Sequence, residues 1–196
     1  MALLSAGAAR AQGVEGSVFE VANPEAPRGE WRRAPSAGAF VVVHWTGRVP
    51  QLWHYKPVCL QASIGRTDGQ GRFVIPAPRP ASTPLFLIRD EPAVALYKPG
   101  LDAPAALRSP GEWVLVRTSL KPLERAGVLE VFAEYGCRDE EKYDLIPLTD
   151  PQGVLPAFHR ALYDEAAALG VDRRPQLPMQ IRVLPRSGPA PAEMKR

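Results

Sequence analysis

Three histidines, two cysteines and a run of aromatic residues are the side chains in this 196-residue chain with which ligand chemistry would begin. His44, His54 and His159 are scattered, and no HxH, HExxH or histidine–carboxylate pattern accompanies them, so no metal ion and no cofactor is expected. Cys59 and Cys137 lie too far apart for a CxxC redox pair. The chain contains no GxSxG elbow, phosphate-binding P-loop or GxGxxG turn, and no catalytic residue is assigned. What remains is His44-Trp45 and Trp53-His54-Tyr55, two aromatic clusters separated by a segment containing Gly47 and Pro50. Aromatic rings on a loop edge stack on a sugar or a peptide, burying much area with little loss of entropy. Trp45, Trp53, His54 and Tyr55 are therefore the candidate ligand-binding residues. The competing placement puts Trp45 in the core and Trp53 over a loop.

The elements that must hold these rings are short. Twenty-two prolines and sixteen glycines among 45% hydrophobic residues describe a chain of many brief elements, which suits a β-sandwich better than a helical bundle. Strands are expected at residues 16–21, 39–45, 58–66, 72–75, 85–89, 93–97 and 113–117, a two-sheet arrangement of seven. Residues 39–45 are apolar on both faces, Phe40 and Val42 pointing one way and Val41, Val43 and Trp45 the other, so this strand should be central and covered twice. In 58–66, alternation puts Val58, Leu60, Ala62 and Ile64 on one face and Cys59, Gln61 and Ser63 on the other. The link Thr67-Asp68-Gly69-Gln70-Gly71 predicts an antiparallel hairpin between this strand and the next. After residue 118 the period changes to helical. Leu120, Leu123, Val128, Val131, Phe132 and Tyr135 mark a first helix over 119–135, ended by Gly136. Leu155, Phe158, Leu162, Ala166 and Leu169 mark a second, stopped by Gly170.

The net charge of +3 does not point to nucleic acid: six basic residues and one acidic sit in 173–196, which leaves the rest slightly acidic. Residues 2–11 are small and apolar and end in Ala9-Arg10-Ala11, the form of a secretory cleavage site, so residues 1–11 read as a signal-peptide remnant and the product as periplasmic or secreted. No run approaches the length of a membrane span. The expected organisation is a sandwich over 12–118, a helical appendage over 119–170 packed on it, and a Pro-rich basic tail over 171–196.

A Gly-x-Val first strand at Gly16, an apolar strand ending in Trp45, a cysteine before Thr67-Asp68-Gly69-Gln70-Gly71-Arg72-Phe73, and Tyr97-Lys98-Pro99-Gly100 closing a later strand resemble exported bacterial proteins with a carboxypeptidase-regulatory-like domain. The resemblance implies a mainly β, seven-stranded Greek-key sandwich of the transthyretin (prealbumin) type, here with a C-terminal two-helix appendage. Some members carry a later cysteine followed by an apolar-Pro-Leu segment, matched by Cys137 and Ile146-Pro147-Leu148. The C-terminal Tyr-Arg-Gly-Ser signature of the transthyretin-like purine-pathway hydrolase is absent. Tyr55, Tyr97, His44 and His54 supply the residue types of an intradiol dioxygenase without its spacing. In an exported chain two cysteines are expected to pair, so a Cys59–Cys137 disulfide should fasten the helices to a strand face too polar to hold them by packing alone. The fold implies no single activity. The expectation is a noncatalytic binding or structural module of the cell envelope, with a protein, peptide or carbohydrate partner. The alternative is an envelope hydrolase with its site in the 45–55 loop.

Overall fold

A computed structural model describes residues 13–77, 86–105, 109–133, 137–138, 145–146 and 148–170. The expected signal remnant, the basic tail, Leu85, Tyr135, Gly136 and Pro147 lie outside the described residues. Among those described, the chain is mainly β, with two helices.

One sheet is built on β1 (Val14–Val21), which pairs antiparallel with β2 (Arg33–Pro35) and β5 (Arg72–Ile75) and parallel with β9 (Glu112–Arg117); β9 in turn pairs with β8 (Leu101–Asp102). The other is built on β3 (Phe40–Pro50), flanked by β4 (Tyr55–Arg66) and, along its opposite edge, by β6 (Ile88–Arg89) and β7 (Ala93–Tyr97). The sheets face each other across Val18, Val41, Val43, Trp45, Phe73, Leu96, Trp113 and Leu115. On its other face β3 buries Phe40 and Val42 against helices α1 (Pro122–Ala133) and α2 (Leu155–Ala168). The central, doubly covered strand expected at 39–45 is thus observed, and its alternation sorts one set of side chains into each of two apolar layers.

Three expectations are corrected. First, the Thr67–Gly71 turn does not close a paired hairpin: β4 belongs to one sheet and β5 to the other. The Thr67 hydroxyl donates to Ser36 O and accepts from Ala39 N, at 2.6 and 2.9 Å, which anchors the corner to the start of β3. Asp68 Oδ1 accepts from Gln70 N and Arg72 N, both at 2.8 Å, and turns the chain away. Gly71 sits at φ 74°, where a Cβ would lie 2.5 Å from Val18 O, so glycine permits the crossing between sheets. Second, the face of α1 is rotated. Arg125, Ala126 and Leu129 are its buried residues, while Leu123 and Val131 are exposed. Third, the helices are not bound to a polar strand face. Leu129, Phe158 and Leu162 form one continuous cluster with Phe40, Val42, Ile64 and Tyr97. The helix expected at 155–169 is observed, with Phe158 and Leu162 buried and Gly170 at φ 65° closing it.

A bulge changes the sense of β4. Trp45 pairs with Gln61 and Thr46 with Cys59, leaving Leu60 as the extra residue. Leu60 consequently packs into the inter-sheet core, although Ile64, of the same parity, faces the helices. Cys59, paired with Thr46, is carried to the helix-facing side rather than to the side of Gln61 and Ser63. Simple alternation misses this because it cannot register one inserted residue.

Candidate functional site

The segment expected as a loop between Trp45 and Tyr55 is mostly strand. β3 and β4 continue their ladder past the core through Val49↔Lys56 to Pro50↔Tyr55, and only residues 51–54 turn, with Gln51 N donating to His54 O at 2.8 Å. β6 joins the same arm through Gly47↔Arg89 and Arg48↔Ile88. Gly47 allows this close approach, since a Cβ there would lie 2.8 Å from Ile88 O. Arg48 is held by Asp90, Nε to Oδ1 at 2.9 Å, and its guanidinium lies 5.9 Å from the centre of the Tyr55 ring, a cation–π contact that steadies both groups.

The sequence-derived site residues part company here. Trp45 is 4% exposed in the inter-sheet core and is not available to a ligand, because its odd position on β3 faces the other sheet. Trp53 is 93% exposed and Leu52 beside it 92%, at the end of the arm. His54 and Tyr55 are exposed with them. Two further apolar residues were not singled out from sequence: Ile88, and Phe86, which is 82% exposed. Phe86 takes a left-handed backbone, φ 65°, a conformation that costs a non-glycine residue about 1–3 kcal/mol and is concentrated at ligand contacts and switches. The pairing of β6 across β3 brings this segment to the arm, and no local sequence signal announces it.

The remaining histidines lie elsewhere. His44 and His159 are partly buried, and burial lowers the pKa of each below the usual imidazole value. The ring of His159 lies 5.8 Å from that of Phe158. Among the described residues no group of three or more His, Cys, Asp or Glu is placed to hold a metal ion, and no helix is long and apolar enough to cross a membrane. Cys59 carries no free thiol, and β10 (Cys137–Arg138), paired with β11 (Leu145–Ile146), lies beside β4. The side chain of Cys137 is outside the described residues.

A second constellation joins the helices to the sandwich. Arg125, 1% exposed, donates from Nη1 to Asp102 Oδ1 at 2.6 Å, and from Nε and Nη2 to Glu165 Oε1 and Oε2 at 2.9 and 3.2 Å. Glu165 also accepts from the Tyr97 hydroxyl at 2.8 Å and from Gly100 N at 2.9 Å. Burial, then the charge and hydrogen bond of Glu165, hold the Tyr97 hydroxyl far above its usual range, so it stays protonated and keeps its proton for Glu165. Its neighbour Lys98 reaches the other way, donating to Glu20 Oε1 at 2.6 Å. Burial alone would raise the Glu20 pKa; hydrogen bonds from Lys98 and Ser36 and the charge of Lys98 outweigh it and leave the carboxyl below its ordinary value. In the sequence, Tyr97-Lys98-Pro99-Gly100 marks only a strand end. The signal for the cluster is that Arg125 and Glu165 fall on the buried stripes of their helices, one turn from Leu129 and Leu162.

No family model, curated protein or solved structure matches this chain.

Proposed function

We propose that this protein is a noncatalytic binding module of the bacterial cell envelope, and that the arm formed by β3, β4 and β6 is its recognition surface. The observation that carries the reading is the near-complete exposure of Leu52 and Trp53 at the end of a hairpin whose base is fixed by a strand ladder and by the Arg48–Asp90 pair. A convex apolar knob on a rigid stem is suited to fill a concave pocket on a polypeptide partner, and large aromatic side chains dominate such contacts. Sugar stacking needs a flat or concave platform, so a protein or peptide is the partner of choice. Tyr55, Ile88 and the strained Phe86 extend the contact along the arm, with His54 at its edge.

The placement in the envelope rests on the Ala9-Arg10-Ala11 pattern. The transthyretin-like, carboxypeptidase-regulatory-like assignment rests on the sequence resemblance, and the sandwich architecture agrees with it at the coarse level. A Cys59–Cys137 disulfide fits both: Cys59 is not a free thiol, β10 runs beside β4, and the bulge turns Cys59 toward the helical layer.

Position 52, replaced in the native host by a photo-crosslinking residue, should trap one envelope protein. That adduct should disappear with Trp53→Ala and persist with Val74→Ala, which alters an exposed apolar residue outside the arm. Trp53→Ala should change stability by less than about 0.5 kcal/mol, as surface substitutions usually do. Equal trapping from positions 52 and 74, or an adduct indifferent to Trp53, would refute the assignment.

A further inference from the structure

A cavity of about 500 Å³ opens between α1 and the β7–β9 side of the sandwich, lined by Leu101, Trp113, Val128 and Phe132 among other apolar residues and by two charged ones, Asp102 and Arg125. Its volume is in the range of small-molecule sites. The arrangement of charge at its polar end decides what it takes. The Arg125 guanidinium is committed: Nε and Nη2 to Glu165, Nη2 also to Lys98 O, and Nη1 to Asp102. It is shared by two carboxylates, so the cluster keeps one negative charge. Only one oxygen of Asp102 receives a hydrogen bond from the described residues, and its side chain is 23% exposed. An anion entering here would meet a guanidinium already occupied and a carboxylate that repels it. A cation would find an acceptor oxygen at the polar end of a cavity that Trp113, Val128 and Phe132 line with apolar surface.

We infer that this cavity is a binding site for a small organic ammonium compound, with its charged head on Asp102 and its apolar body against Trp113, Phe132 and Val128. The site is built from other elements than the arm and is independent of the arm's role. Calorimetric titration with 4-phenylbutylammonium should show saturable one-to-one binding, while 4-phenylbutanoate and 4-phenylbutanol, of the same shape, should bind at least about tenfold more weakly because neither supplies a charge-assisted donor. Asp102→Asn should weaken the ammonium by a similar factor. Because Asp102 also pairs with Arg125, Val128→Trp provides a second variant, which should abolish binding by filling the cavity from α1. Tighter or equal binding of the carboxylate, retention of affinity in Asp102→Asn, or no heat at millimolar ammonium would each overturn the assignment.

Discussion

Arg125 shows how a single charged residue can organise an apolar layer. It lies on the stripe of α1 that carries Ala126 and Leu129, and it is tolerated there because two carboxylates and a backbone carbonyl satisfy it. Arg125→Ala leaves Glu165 and Asp102 without their cation and should cost about 3–5 kcal/mol in urea unfolding. The Arg125→Leu/Glu165→Leu pair should cost clearly less than the sum of its single variants; additive losses would mean that the two side chains act separately. His44 and His159 give a pH signature. Both are depressed by burial from the ordinary 6.5, so the unfolded chain takes up protons at a pH where the folded chain does not. Stability should be full above that value and decline as pH falls from it toward the folded-state values. A urea-midpoint series from pH 7.5 to 5 on His44→Asn/His159→Asn should be flatter than on the parent; parallel curves would show that other groups set the slope.

At the level of elements, the helical layer is secured by packing, to which the proposed crosslink would add. Closing the loop between Cys59 and Cys137 is worth about 4 kcal/mol on the chain-entropy model, but the Phe40–Tyr97–Phe158–Leu162 cluster holds α2 independently. Reduction should therefore loosen β10 and β11 while α2 amides remain protected from hydrogen exchange. Loss of protection in α2 on reduction would show that the bond, and not the cluster, docks the helix. Much of this layering was legible from residues. The two-sided apolar run of β3 identified the central strand, and the spacing from Leu155 to Leu169 identified α2 and its buried face. The face of α1 was not legible, because a pattern that counts arginine as polar rotates the stripe away from Arg125. Nor was the fate of the Thr67–Gly71 turn, since its chemistry fixes a reversal of direction without fixing which strand lies opposite. The candidate site divided in the same way. Burial of Trp45 followed from its place on the two-sided apolar run and exposure of Trp53 and Tyr55 from their position at a turn, whereas the arrival of Phe86 and Ile88 depends on pairing between distant segments.

Over the whole molecule, the long β3–β4 ladder is local in sequence, while the sheet facing it is closed by strands from opposite ends of the sandwich. In pulsed hydrogen exchange during refolding, β3 and β4 amides should gain protection before those of β1 and β9, because local contacts form before distant ones; simultaneous protection would indicate one concerted step. The parallel register from Ser17↔Glu112 to Val21↔Val116 bears on how the protein is made. A ribosome emits β1 before, and β9 after, every other strand of the sandwich, so until β9 emerges one hydrogen-bonding edge of β1 waits for a partner that does not yet exist. A chain stalled before Glu112 presents that edge to its neighbours, and prematurely terminated products should be recovered as aggregates rather than as shortened folded domains.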